Sequence, residues 1–351
     1  MSGPSETVRI GILSTAHLHA GAYAGALAGI DGAELVGVAD EDAERGREFA
    51  AAHDTEYAAT DELLGSVDGA VVCSTNAAHR EWVERAAAAG VDVLSEKPLA
   101  PGRDDARAMV ETCEDAGVGL GVAMPLRFSL PARKANEKLA EGTLGDLRAV
   151  VGTNRGQMPG GWFVDPDASG GGAAMDHTVH IVDLVHWLTD QRVAEVYAEL
   201  ETTFYDHPVE DVNVLSMALE DGTQFSLDGS WSRPESWDFW GDATLSLVGT
   251  DATVDVDCFD QKLKHTRDTA DGGDGGESDD GDDGGDDDDA GGIRSVYWGS
   301  DPNAGLVADF VDAVREGRPP ETTGAEGLEA VAVVEAVYES NDRGEPVTVE
   351  Y

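Results

Sequence analysis

Positive charge is scarce in this sequence. Eighteen Arg and five Lys stand against 70 Asp and Glu, giving a formal net charge of −47. Affinity for nucleic acid rests on Lys and Arg neutralising phosphates, and so negative a field repels them. It repels an anionic membrane surface likewise. Cysteine is scarcer still. Cys73, Cys113 and Cys258 are too few and too scattered for a disulfide framework or a CxxC metal site. No segment approaches the ~20 unbroken apolar residues of a membrane span. The first six residues lack the basic and apolar regions of a signal peptide. Together these absences predict a reduced, cytoplasmic protein.

The 351 residues are 41% hydrophobic, enough for a sizeable core and two domains. The acid is spread along the chain. Residues 268–292 hold twelve Asp or Glu and no Lys or Arg, yet the remainder without them still carries −35. An acid-rich, Lys-poor composition resembles proteins of extreme halophiles, where molar salt shortens the Debye length to about 3 Å and screens self-repulsion. The 268–292 run has no apolar periodicity and is expected to be a disordered loop. Its Asp-Gly spacing fits no calcium loop.

Residues 1–125 alternate β-branched runs with amphipathic stretches, which predicts a doubly wound parallel sheet with its ligand at the carboxyl ends of the strands. Residues 126–351 read as an α+β domain. A strongly patterned helix over 174–188 precedes consecutive strands expected to form an open antiparallel sheet.

Four segments carry the chemistry. They are Glu96-Lys97-Pro98 after a strand, Thr75-Asn76-Ala77-Ala78-His79 after the preceding strand, the run Gly170 to Asp183 containing Asp176, His177 and His180, and Val334 to Ser340. Arg127-Phe128 follows the last strand of the first half. Taken in order, the set resembles the Gfo/Idh/MocA family of nicotinamide-dependent oxidoreductases over nearly the whole chain. That resemblance implies a Rossmann domain followed by a substrate domain that associates into homodimers or homotetramers through its sheet. It also implies hydride transfer between NAD and a sugar, inositol or related polyol. Two other readings stay open: an NAD-dependent glycosidase of the same fold, and a non-catalytic ligand-binding protein that has lost the cofactor.

Lys97, at a strand's carboxyl end, can stabilise charge developing on a substrate oxygen. Asp176, His180 and Asp183, at i, i+4 and i+7, share a helix face. A neutral histidine near pH 7 can take a hydroxyl proton. The resemblance makes His180 the acid/base and Asp176 the group that orients substrate hydroxyls. Trp162 and Arg155 could wall the substrate pocket, and Arg127 is expected to meet the substrate. No metal is expected, because His177, His180 and Asp183 match no open-site motif.

The phosphate loop departs from Gly-x-Gly-x-x-Gly: Ser14, Ala16 and His19 stand at the three glycine positions. Ser14 and Ala16 are small, and His17 or His19 could donate to a phosphate. Asp40, 21 residues past His19, is placed to hold ribose hydroxyls and to favour NAD over NADP. Arg45 and Arg47 lie a helical turn or more further along the sequence. By resemblance Thr75, Asn76, His79 and Glu96 line the cofactor cleft with Lys97.

Overall fold

The computed structural model describes residues 7–237, 239–267, 292–297 and 299–351. The first layer runs β1 (Val8–Leu13), α1 (Ala20–Ala28), β2 (Ala33–Ala39), α2 (Ala43–Ala52), β3 (Glu56–Tyr57), α3 (Thr60–Leu64), β4 (Gly69–Val72), α4 (His79–Ala88), β5 (Asp92–Ser95), α5 (Arg103–Ala116) and β6 (Leu120–Val122). Its six strands pair in parallel in the order β3-β2-β1-β4-β5-β6. The central strands are short aliphatic runs buried on both faces, as helices on either side require. The strand order reverses between β1 and β4, where such a sheet opens a crevice.

The second half continues with α6 (Leu130–Ala140), β7 (Leu147–Thr153), α7 (Pro166–Ser169), α8 (Ala173–Thr189), β8 (Val193–Glu201), β9 (Val212–Leu219), β10 (Gln224–Asp228), β11 (Thr244–Gly249), β12 (Ala252–Asp257), β13 (Lys262–Arg267), β14 (Gly292–Tyr297), α9 (Pro302–Glu316), α10 (Gly324–Arg343) and β15 (Val347–Thr348). The nine strands order as β14-β13-β12-β11-β7-β10-β9-β8-β15. The sheet is open but not purely antiparallel, because β7 and β10 pair in parallel. A long connection carrying α8, β8 and β9 separates them, the kind of crossover parallel pairing needs. The strands alternate buried and exposed residues. One face packs on α8 and α10 through Ile181, Val185, Leu215, Phe225 and Val337. On the other face Val151, Val214 and Val248 are exposed.

The expected acidic loop lies outside the described residues, except that Gly292 begins β14 and pairs with Arg267 of β13. That hairpin was not foreseen, nor were β3 and α3, which are too short to show a period. The chain also returns to its beginning. α9 places Leu306, Val307 and Phe310 in one cluster with Ile10, Ile12 and Tyr23 of the first layer. No helix among the described residues is long and apolar enough to cross a membrane.

Candidate active site

The loop after β1, the residues following β4 and β5, and the first half of α8 meet at the crevice. Ser14 keeps the tight turn of the phosphate loop. Its φ of 64° is left-handed, the conformation glycine otherwise supplies. His17 is sealed against Trp162, Phe163 and His19. Burial drives its pKa down to about 3, so the ring is neutral. Its Nδ1 accepts the His19 backbone N–H at 3.2 Å. The proton therefore sits on Nε2, which has no hydrogen-bond partner among the described residues.

Glu96 anchors this loop from the end of β5. It is fully buried. One oxygen accepts from His19 Nδ1–H at 2.9 Å and from the Tyr23 hydroxyl at 2.5 Å, and His17 Nδ1 lies 3.5 Å from it. The other oxygen accepts the Lys97 backbone N–H at 3.1 Å. Burial pushes this carboxyl's pKa up, but His19 and Lys97 outweigh burial and hold it well below the usual range. His17, His19 and Glu96 are the group of donors among the described residues whose ligand atoms all lie within 4.8 Å of one another.

Lys97 precedes a cis peptide to Pro98. Its ammonium forms an ion pair with Asp176 Oδ1 and also reaches the Asp176 carbonyl at 3.3 Å. The other carboxylate oxygen, Oδ2, accepts the Trp231 indole N–H at 3.2 Å and lies 3.3 Å from His177 Nε2. Burial raises the Asp176 pKa, while Lys97 and His177 pull it back to well below the carboxylate norm. One turn on, burial and the nearby Lys97 charge hold His180 well below 6.5, so it stands as a neutral base. Its Nδ1 has no hydrogen-bond partner among the described residues.

The N-terminus of α8 is clamped by Glu210. Its Oε1 accepts from the N–H groups of Gly172 and Ala174 at 2.9 and 3.0 Å and from the Tyr338 hydroxyl at 2.9 Å. A carboxylate here also suits the positive end of the helix. The glycine run answers to this clamp. A Cβ on Gly171 would lie 1.9 Å from the Tyr338 hydroxyl, and one on Gly172 would lie 2.0 Å from the Glu210 carbonyl oxygen. The close approach those glycines permit is thus made by the protein itself.

Several expected site residues sit elsewhere or are otherwise engaged. Arg127 does not reach the Lys97 cluster. Its guanidinium grips Asp183 at 2.8 and 2.6 Å and Glu326 at 2.8 Å, so buried opposite charge rather than substrate holds it. Asp183, on the same helix as Asp176 and His180, is thereby committed to Arg127. His79 lies behind the cleft, wholly buried, with Nδ1–H donating to the Pro98 carbonyl at 2.9 Å. It supports the turn that carries Lys97. Asp40 is already occupied by Arg45 Nε and Nη2 at 3.1 and 2.6 Å and by the Thr15 N–H and hydroxyl at 2.7 and 2.6 Å. Arg45 is in contact because Gly46 lets α2 approach, where a Cβ would lie 2.7 Å from that of Asp40. Trp162 donates its indole N–H to the Ala16 carbonyl at 3.0 Å, which seats the ring on the phosphate loop. Thr75 opens a short 3-10 turn, Asn76–Ala78. Asn76 Nδ2 donates to the Ser169 carbonyl at 2.8 Å, and its Oδ1 has no partner among the described residues.

His17 Nε2, Asn76 Oδ1 and His180 Nδ1 are thus buried polar atoms without partners, on three segments that meet at the crevice. Buried polar atoms are ordinarily paired, so this set fits a polar ligand such as a dinucleotide. Tyr23, His177, Trp231 and Glu210 were missed from the sequence. Nothing local marks Glu210 or Trp231, which reach the site from distant β-strand connections.

A neutral base, an ammonium and a carboxylate at the carboxyl end of a doubly wound sheet are the equipment of a nucleotide-dependent oxidoreductase. The comparisons agree. A family model described as an oxidoreductase family with an NAD-binding Rossmann fold matches residues 8–124, and the GFO/IDH/MocA C-terminal domain model matches 132–255. The chain belongs to the Gfo/Idh/MocA family. It is 36% identical over 174 residues to the 1,5-anhydro-D-fructose reductase of Ensifer adhaerens, covering 48% of this chain and 52% of that protein. With the D-apiose dehydrogenase of Paraburkholderia graminis it shares 27% identity over 96% of this chain and 87% of that one. The fold of an oxidoreductase domain protein from Kribbella flavida superposes with a TM-score of 0.84 at 24% identity, over 99% of this chain and all of that one.

Proposed function

We propose that the chain is an NAD-dependent dehydrogenase that oxidises a secondary hydroxyl of a sugar, inositol or related polyol, or reduces the matching ketone. The observation that carries this reading is the Lys97–Asp176 ion pair beside the neutral His180. Bound nicotinamide supplies the hydride acceptor. His180 takes the hydroxyl proton, for which its neutral form is required. The Lys97 ammonium stabilises the negative charge growing on the substrate oxygen. Asp176 orients a neighbouring hydroxyl. Ser14, Ala16, His17 and Asn76 hold the dinucleotide, with the His17 Nε2–H as a donor in place of a lost glycine contact. Asp40 faces the adenosine ribose. The names of the anhydrofructose and apiose relatives support a carbohydrate substrate.

Two further readings belong to the same proposal. The outward face of β7, β9, β10 and β11 carries Val151, Val214, Ser216, Ser226, Ser246 and Val248. That patch of valines and serines, with Asp228 as its charged member on β10, supports homodimers or homotetramers through the sheet. The charge itself supports a salt-rich cytoplasm.

The test is a titration of NAD and NADP into protein in molar salt, followed by a polyol screen for NADH formation. Micromolar NAD affinity and net NADH formation support the reading. Free sugar released from a glycoside without net NADH would replace it with glycoside cleavage. No binding of either nucleotide to folded protein would replace it with a ligand sensor.

A further inference from the structure

Asp176 has two carboxylate oxygens with different duties. Oδ1 belongs to the Lys97 ammonium. Oδ2 is met by the Trp231 indole N–H at 3.2 Å and by His177 Nε2 at 3.3 Å, an ion-pair distance without the alignment of a hydrogen bond. The opposite nitrogen of His177, Nδ1, donates to the Gly229 carbonyl at 3.0 Å. Both ring nitrogens therefore face acceptors. His177 is almost wholly buried. The chamber around it is cut to fit. Trp231 and Trp240 pack on the ring with centroids 6.4 and 5.7 Å away, and a Cβ on Gly156 would lie 2.7 Å from its Cε1. A ring placed only to fill space has no reason to set its second nitrogen against a carboxylate.

We propose that His177 is a positioning residue, holding Asp176 by its rear oxygen as a fixed counter-charge to Lys97. Resting on the dehydrogenase reading, this explains how Lys97 can turn part of its hydrogen bonding to a substrate oxygen. The carboxylate it leaves keeps His177 against its rear oxygen and stays in place. The charged and titratable groups around Asp176 are Lys97 from the end of β5, His17 from the loop after β1, and His177 and His180 from α8 itself. His177 is the one among them that meets Oδ2.

Trp231 provides a readout independent of turnover, because its indole N–H bonds the same oxygen. The indole resonance, assigned through Trp231→Phe, is followed against pH in 15N-labelled protein. In His177→Leu and His177→Gln it is expected to titrate at least about 1 pH unit higher than in the parent, because His177 helps to hold the Asp176 carboxyl down. The acid limb of kcat should move by the same amount, and kcat should fall about tenfold with NAD affinity unchanged. An unshifted indole titration in the variants overturns the proposal. So does a fall in kcat with the acid limb in place, which is the mark of a packing residue. If the Leu variant does not fold, the Gln variant, close in size, decides alone. If no substrate is turned over, the dehydrogenase reading fails while the indole titration still judges His177.

Discussion

Two places in this molecule share one composition: a buried carboxylate, two histidines and an aromatic donor. At the first, Glu96 accepts from His19 and the Tyr23 hydroxyl, with His17 beside it. At the second, Asp176 meets His177, the Trp231 indole and Lys97, with His180 one turn along. The difference lies in the charged partner. Around Glu96 the partners belong to the phosphate loop and α1, so the carboxylate fastens backbone. Around Asp176 one partner is an ammonium at a strand end, and the adjacent His180 keeps an unpaired nitrogen. Both places keep a histidine nitrogen unpaired among the described residues, His17 Nε2 at the first and His180 Nδ1 at the second, so the contrast is the Lys97 ammonium, which pairs with Asp176 and not with Glu96.

Substitution can break that contrast. Asp176→Asn and Lys97→Met should each lower kcat by about 100- to 10,000-fold, with NAD affinity nearly unchanged by calorimetry. Glu96→Gln should do the reverse, weakening NAD binding more than it lowers kcat at saturating NAD. Equal effects on kcat from both carboxylates would erase the distinction.

A third carboxylate sharpens it. Arg127→Ala leaves Asp183 buried without its counter-charge and should cost about 3–5 kcal/mol of stability by denaturant titration in molar salt. If instead KM rises with stability intact, Arg127 returns to the substrate pocket.

The histidines predict an acid response. Burial holds His17 at about 3 and His186 at about 4, and His79 and His180 lie below 6.5 as well. In the unfolded chain all titrate near the ordinary value of about 6.5. The unfolded state therefore binds more protons below that pH. Stability should fall as pH drops from about 6.5 toward 4, by about 1 kcal/mol per pH unit for each histidine. His186→Gln should flatten the slope of Tm against pH. An unchanged slope would mean the ring is protonated in the folded protein.

The smallest effect concerns the adenosine end. Asp40→Ser frees Arg45 and removes a carboxylate, so NADP should gain about three- to tenfold on NAD. Isothermal titration of both nucleotides in one salt concentration measures the ratio.

Much of this was legible in the sequence, for reasons particular elements show. β1 and α2 begin and end where their apolar period and the Asp42 cap place them. Lys97, Asp176 and His180 were legible because each stands at a fixed offset within its own segment, and the structure brings the three together. Arg127 was misplaced because its partners Asp183 and Glu326 lie 56 and 199 residues away. Local spacing also says nothing of the Asp40–Arg45 pair, which depends on how closely Gly46 lets a helix approach a strand end. Trp231 and Glu210 reach the site through sheet pairing, and no local pattern reports it.

The return of α9 to the first layer bears on how the chain comes to be folded. Ile10, Ile12 and Tyr23 leave the ribosome first, but Leu306, Val307 and Phe310, which cover them, come almost three hundred residues later. At roughly 5–20 residues per second, that is a wait of about 15–60 s. During synthesis the nascent nucleotide-binding half would keep an apolar flank open until α9 emerges. A fragment ending near residue 125 would keep that flank for good, whereas a nascent chain needs only to be shielded until its tail is made.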